Sequence, residues 1–589
     1  MCGIAGLMMT MDRRPESAVL DRLKGALIHR GPDANGLHIA GPVGLVSTRL
    51  AIIDTRSGDQ PICEPQGAAL VANGEIYNDP ELRLRLRDVR FSTGSDCESP
   101  LHLYRQKGLA FVDELRGMYA IAIYDPAASR LILARDPFGI KPLYYIEAPS
   151  YFAFASEPQA LIAADLAGRR IRPLARAELF QLKFTTGSGT IFSQIKRVLP
   201  GETLVISDGR IVERRRRSAL PQERPLSTNY RQALAQLNEV LSDSVLHHLR
   251  SDVPYGLFLS GGIDSPALAV LMARMSANPV VTLTIGFPGV GAVDERALAG
   301  RIARSIGAEH HVVEMTANDF WTKAPRTAAA LDDPTTDAAA LPTFALGEAA
   351  KGNLKVILAG EGGDEIFCGY SRYRRARWLG GWLTRYARTR GECSSIENLN
   401  GVFGGWRDGL NLTERQQGRA DWTFMQKLQA VDCAEWLPND LLTKLDRCLM
   451  RHGVEGRTPF LDPVVADFGF RLPDPLKATT RMAKRLLRDW LFLNLPAAAP
   501  YARKKAFNPP VGQWISARRQ TIEPLVCSQP GVAEMFTEQD VHRAFANLDR
   551  APQSAWSVLF YALWHSHHIL GLPCDGAIDD VLAAARAFG

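Results

Sequence analysis

The chain has 589 residues, 46% of them hydrophobic and 22% charged, with 49 glycines and 36 prolines, which excludes a disordered or collagen-like chain and implies several structural units. Nine cysteines, an odd number without metal-knuckle spacing, exclude a closed disulfide framework and favour a reducing compartment. Lys and Arg outnumber Asp and Glu by 69 to 63, but the one basic run, residues 214–217, lacks interleaved aromatics and reads as a solvated face, so no nucleic-acid partner is expected. Apolar stretches fall short of the roughly 20 residues that span a bilayer and no secretory h-region follows the amino terminus, so a cytoplasmic protein without a membrane partner is expected.

Residues 1 to about 210 hold short apolar runs separated by Gly, Asn or Asp turns: VGLVSTRLAIID, AALVANGEIYN, MYAIAIYD, RLILARD and YFAFASE. That pattern predicts an antiparallel, sheet-rich α+β sandwich. Helices are predicted at residues 16–28, where Val19, Leu20, Leu23 and Leu27 recur at helical spacing, and at 100–108. The charge run and prolines at 210–226 predict an exposed joint. Beyond it the order is YGLFLS, SGGIDS, helix, PVVTLTIGF, helix, HHVVEM, then LKVILAG before EGGDEIF, the alternation of a doubly wound parallel sheet. From about residue 372, Trp- and Leu-rich helices read as an elaboration of that sheet. The HSHH tract of His565 to His568 fits no zinc spacing and receives no role.

Cys2 would become the first residue on removal of Met1, placing a thiol beside its own α-amine, which can serve as the base a cysteine nucleophile needs. Polar groups at strand ends are turn formers or pocket walls: HRGPD at 29–33, Arg49, ANGEIYN at 72–78 and TGSDCE at 93–98. Arg49 can clamp a carboxylate, Asp96 can hold an ammonium, and Asn73 with the Gly74 amide can donate to an oxyanion. His29 and Glu75, taken singly, read as structural.

SGGIDS, residues 260–265, lacks Walker spacing, yet Ser260, Gly261 and Gly262 at a strand end can aim amides at an anion beside a helix beginning near Asp264. The partner loop at 359–370 carries Glu361, Asp364 and Glu365 on a glycine-permitted turn, carboxylates whose crowding a magnesium–polyphosphate ligand would explain. Lys504 and Lys505 in ARKKAFNPP can neutralise charge on a transferred phosphate. KLDRCLMRHGVEGRTPFLD, residues 444–462, reads as a helix entering a polar loop, with Arg447, Glu455 and Arg457 organising structure.

The set MCGIAG, HRGPD, RLAIID, NGEIYN and TGSDCE resembles that of class II glutamine amidotransferases. SGGIDS, GEGGDE, EGRTPFLD and RKKAF follow in the order of glutamine-using asparagine synthetases, so the resemblance covers nearly the whole chain. It implies an amino-terminal-nucleophile sandwich of four layers over 1–215, then an α/β parallel-sheet ATP-pyrophosphatase domain with helical elaboration over 216–589. It further implies glutamine hydrolysis through a thioester on Cys2, and ATP- and Mg2+-dependent conversion of aspartate to asparagine through a β-aspartyl adenylate. By resemblance, Asn73 and Gly74 form the oxyanion hole, and Arg49, Asn73, Glu75 and Asp96 bind glutamine. Leu259, Ser260, Gly261, Gly262, Asp264, Ser265, Ile285, Gly360 and Asp364 bind ATP or pyrophosphate, with Asp264 and Asp364 on the metal. Glu361 is the implied proton acceptor and Lys504 the catalytic lysine; an intramolecular tunnel and a homodimer are implied too. Ile263, Pro266, Gly456, Thr458 and Ala506 depart from the family pattern and leave open an enzyme of the same architecture that amidates or cyclises another carboxylate.

Overall fold

The computed structural model describes residues 2–587 except 66, 224, 290–293, 380–390, 394–395, 397–404, 503–508 and 550. The first half contributes β1 (Cys2–Met9), β2 (Ala34–Ala40), β3 (Val43–Arg49), β4 (Ile62–Cys63), β5 (Ala69–Ile76) and β6 (Gly117–Asp125). It continues with β7 (Arg130–Arg135), β8 (Tyr144–Ala148), β9 (Tyr151–Ala155), β10 (Lys196–Arg197), β11 (Glu202–Ser207) and β12 (Arg210–Arg216). They form two six-stranded sheets, β10-β8-β9-β1-β3-β2 and β12-β11-β7-β6-β5-β4, with antiparallel pairing throughout.

Side-chain alternation sorts each strand between two cores. Cys2, Ile4 and Met8 of β1 meet Ala69 and Val71 of β5 between the sheets. Ala5 and Leu7 instead pack on Leu20, Leu23 and Leu27 of the helix Ser17–Leu27. Leu70, Ala72 and Ile76 pack on Leu82 and Leu101 of the helices Asp79–Arg85 and Ser99–Lys107. The layers therefore run helix, sheet, sheet, helix. Continuing the inward face of β5 by the same period places Asn73 and Glu75 toward Cys2 and the adjoining half of the chain.

The second half holds one parallel sheet, β13 (Tyr255–Phe258), β14 (Val281–Gly286), β15 (Glu309–Glu314), β16 (Val356–Leu358) and β17 (Glu455–Arg457), in the order β15-β14-β13-β16-β17. One face is covered by Leu237, Leu241, Leu268 and Ile302, which pack on Leu257, Val356 and Leu358. The other is covered by Phe344, Leu445 and Leu449 over Leu283, Ile285 and Ile357. Strand order reverses at β13, so the loops after β13 and β16 open side by side into the crevice where such sheets bind ligands.

Two elements differ from the sequence-based expectation. The 455–457 segment is a strand, not polar loop: β17 is too short and too charged to announce itself, and pairing with β16 defines it. The basic run lies largely in edge strand β12, where charged side chains discourage further strand pairing, and the joint proper begins beyond Arg216. His565 and His568 are buried in the helix Pro552–His568. Among the described residues no helix is long and apolar enough to cross a membrane.

The two halves meet through buried charge. Arg30 has no exposed surface; its Nη1 donates to Glu157 at 2.7 Å and to Asp446 at 2.8 Å, and its Nη2 to Asp446 at 3.0 Å. Arg447 donates to Asp332 at 2.8 Å and to Asp446 at 3.1 Å, while Arg197 pairs with Asp333 at 2.7 Å. Removing one partner from such a lattice strands a buried charge. Arg30→Met is therefore expected to lower stability by about 3–5 kcal/mol, read as the urea unfolding midpoint. Adding Asp446→Leu should recover part of the loss; a midpoint unchanged in the single variant would contradict the ion-pair account.

Candidate functional site

Cys2 begins β1 opposite Arg49 of β3 in the register. Its nitrogen, an amide in the unprocessed chain, donates to Asn73 Oδ1 at 3.1 Å. Asn73 Nδ2 is buried without a hydrogen-bond partner among the described residues, an unusual state for a buried amide. Gln60 Nε2 lies 4.0 Å from Cys2 Sγ, a neighbour that no sequence pattern marks. Burial pushes the Cys2 thiol up, against the opposing pull of the amino terminus and Arg49. The thiol at rest is therefore neutral and needs a base beside it.

Gly74 continues β5 where a Cβ would stand 2.3 Å from Met118 O, so only glycine lets β5 and β6 approach at this point. Arg49 is 5% exposed and is held by Asp59 at 2.9 Å and by the carbonyls of Ile53 and Asp54 at 3.1 and 2.6 Å. Asp96 accepts from the Ile76 amide at 2.6 Å, yet burial pushes its carboxyl up to about 6. Burial and then the charge of Asp96 push Glu75 well up, opposed by Arg457. The Arg457 guanidinium stands 3.1 Å from Glu75 and 2.6 Å from Glu455. Arg49 and Asn73 thus stand beside Cys2, while Glu75 and Asp96 act on each other and Glu75 reaches Arg457 in the other half of the chain. His29 pairs with Glu157 at 3.2 Å, the structural role its sequence context suggests.

A second site lies at the carboxyl ends of β13 and β16, in a cavity of about 660 Å3. Leu259, Ser260, Gly261, Gly262, Asp264, Ser265, Ile285, Gly360, Glu361 and Asp364 all line it. Ser265 Oγ accepts from the Ser260 amide at 2.9 Å and sits 3.0 Å from Ser260 Oγ, which tightens the loop at the start of the helix Asp264–Met275. The Gly261 amide donates to the carboxylate of Glu295 at 3.1 Å, so the loop already receives an anion. Gly362 has φ +90°, and a Cβ there would stand 2.3 Å from Leu461; this is the turn that swings Asp364 into the cavity.

Lys504 lies outside the described residues. Lys484, passed over in the sequence, meets Asp264 at 2.5 and 2.6 Å and Asp364 at 2.7 Å. Its own backbone is left-handed, φ +52°, a strained state that tends to mark functional positions. The only sequence signal was a basic residue opening the helix Arg485–Asn494. Two carboxylates meeting on one ammonium make a cation position, and a magnesium ion there would need further oxygens from a phosphate ligand. Among the described residues no three His, Cys, Asp or Glu side chains gather to hold a metal unaided. Burial first raises Glu361, with Lys444 opposing; burial and Asp364 push Glu365 up to about 7 beside the Tyr370 hydroxyl, which donates to it at 2.7 Å.

Residues 1–216 match the family model for a glutamine amidotransferase domain and residues 236–566 the model for asparagine synthase. The glutamine-hydrolysing asparagine synthetase 1 of Bacillus subtilis is 30% identical over 97% of this chain and 97% of its own. A putative glutamine-hydrolysing asparagine synthetase of Mycobacterium tuberculosis is 32% identical, over 93% of this chain and 94% of its own. The amidase chyE of Penicillium rubens is 31% identical, over 86% and 88%.

The raised Asp96 has a measurable consequence. A carboxyl whose folded-state pKa lies above its unfolded value stabilises the fold fully below the unfolded value, near 4, and loses that contribution as pH rises through about 6. Asp96→Asn removes the dependence. Its stability relative to the parent chain is expected to grow between pH 4 and 7, by on the order of 3 kcal/mol at most. A difference in unfolding midpoint that stays flat with pH would contradict the assignment.

Proposed function

Because the chain belongs to the asparagine synthase family and carries a glutamine amidotransferase domain ahead of the synthase region, we propose that it makes L-asparagine from L-aspartate and ATP with ammonia taken from glutamine. The observation that carries this reading is the pairing, in one chain, of a thiol beside an unpartnered amide donor with a cavity where 260–265, Glu361, Asp364 and Lys484 converge.

With Met1 removed, the Cys2 nitrogen is an amine that Asn73 Oδ1 orients. Sγ attacks the glutamine amide carbon while its proton passes to that amine and on to the departing ammonia; water then hydrolyses the glutamyl thioester. Asn73 Nδ2, free of any partner that must be given up, would donate to the oxyanion together with the Gly74 amide. Arg49 would take the substrate's α-carboxylate. Asp96 and Glu75 would take its ammonium, whose charge favours the ionised form of both buried carboxyls.

At the second site the loop 260–265 and Lys484 would receive the nucleotide's phosphates, with Leu259, Ile285 and Gly360 shaping the nucleotide pocket. A magnesium ion accompanying ATP would be held by Asp264 and Asp364 and would offset phosphate charge. An aspartate β-carboxylate oxygen attacks the α-phosphorus and pyrophosphate leaves, giving β-aspartyl-AMP; ammonia then attacks the acyl carbon and AMP leaves. Glu361 would accept the proton the attacking nitrogen sheds, its raised basicity suiting that task. The domains are taken as 1–215 and 216–589. The similarity to a relative named an amidase supports a second reading, the same chemistry on another carboxylate.

Incubation with glutamine, ATP–magnesium and aspartate should yield asparagine, glutamate, AMP and pyrophosphate. Glutamine turnover without aspartate-dependent AMP would overturn aspartate as acceptor. Cys2→Ala should abolish glutamine use yet keep synthesis from added ammonia. Asn73→Ala should lower glutaminase kcat by about 10²- to 10³-fold; an unchanged kcat would remove Asn73 from the oxyanion site.

A further inference from the structure

The cavity carries charges of both signs. Lys484 joins Asp264 and Asp364. Glu361 lines the same cavity, with Lys444 and Asp264 near enough for both charges to act on its carboxyl. Lys444 lines the cavity wall too, is 5% exposed and bonds Asp337 at 2.8 Å.

The surroundings of Lys444 are more acidic than one lysine requires. Its charged neighbours are Asp337, Asp440 and Glu361, and Lys183 is a second cation that acts on Asp337 and Asp440. Asp440 has no exposed surface; the Thr335 hydroxyl donates to its Oδ1, whereas Oδ2 is without a hydrogen-bond partner among the described residues. Asp440 sits in the π-helical segment Asp432–Leu442, a distortion frequent at functional sites. Ala339, Thr343, Leu346 and Leu441 also line the cavity. Three carboxylates around a lysine repel a bare dianion but suit a group carrying one ammonium and one carboxylate.

We propose that Lys444 and Asp337 form the subsite for the α-amino acid head of the acceptor, Lys444 taking its α-carboxylate and Asp337, backed by Asp440, its α-ammonium. The side-chain carboxylate is then left at Glu361, facing the phosphate end. This rests on the amidating reading given above and assigns the residues that make an amino acid, and not a simple carboxylic acid, the acceptor.

The test is acceptor-dependent ATP–pyrophosphate exchange with aspartate, with β-alanine, which lacks the α-carboxylate, and with succinate, which lacks the α-ammonium. The parent enzyme is expected to prefer aspartate to both. Lys444→Met should raise the KM for aspartate by about 30-fold, the loss of one charge-assisted contact. It should leave exchange with β-alanine and the KM for ATP within about twofold, and K444R should restore part of the loss. Asp337→Asn should erode the preference for aspartate over succinate. Retained glutaminase activity checks the fold of each variant, and the D337N comparison stands alone if K444M fails that check. Equal loss with aspartate and β-alanine in K444M, or an unaltered aspartate-to-succinate ratio in D337N, would overturn the subsite. Absence of aspartate-dependent exchange in the parent enzyme would instead sink the amidating reading beneath it.

Discussion

Arg457 has no exposed surface, and a guanidinium so placed can exist only if carboxylates and carbonyls surround it. It finds Glu75 at 3.1 Å on the amino-terminal sandwich and Glu455 at 2.6 Å on its own strand. It also donates to the carbonyls of His248 and Arg250 at 2.8 and 2.6 Å. Its own carbonyl accepts from the Ala359 amide at 2.9 Å, two residues before Glu361. The need to satisfy one buried charge thus joins the carboxylates near Cys2 to the strand end that carries Glu361. Arg30 and Arg447 impose the same demand nearby, so the two halves meet through a lattice of charge with little freedom to slide.

That construction suits the proposed chemistry. Ammonia released at Cys2 would be useful only while unprotonated, and the arginines of this boundary, which hold their protons far above neutral pH, would make poor proton donors to it. Asp96 near the first site and Asp440 near the second, two carboxyls that burial pushes up, lie where the proposed substrates would bring ammonium groups. Binding of those substrates would relieve the electrostatic penalty that burial places on both carboxyls, an arrangement that ties function to charge complementarity at some cost in stability.

Much of this was legible in the sequence because the signals are local. Period-two alternation places Val71, Asn73 and Glu75 on one face, and a glycine turn after an apolar strand places 260–265 at a helix start. The reading of Arg457 as an organiser of structure agrees with its buried bonds. What stayed hidden depends on distant partners. Nothing near Arg30 announces Asp446, 416 residues away, and nothing near Lys484 announces Asp264, 220 residues away. β17 escaped notice because two of its three residues carry charges that only the finished interface neutralises, and β12 because an edge strand can be as polar as a linker.

In the proposed reaction nitrogen passes from the Cys2 site to the Glu361 site inside one molecule. The direct measurement is synthesis from amide-15N glutamine in the presence of excess unlabelled ammonium, with the isotope content of the product read by mass spectrometry. Asparagine enriched in 15N far above the bulk ammonia pool is the predicted result. Product whose label matches the bulk pool would show that the sites exchange ammonia through solvent and would contradict the account.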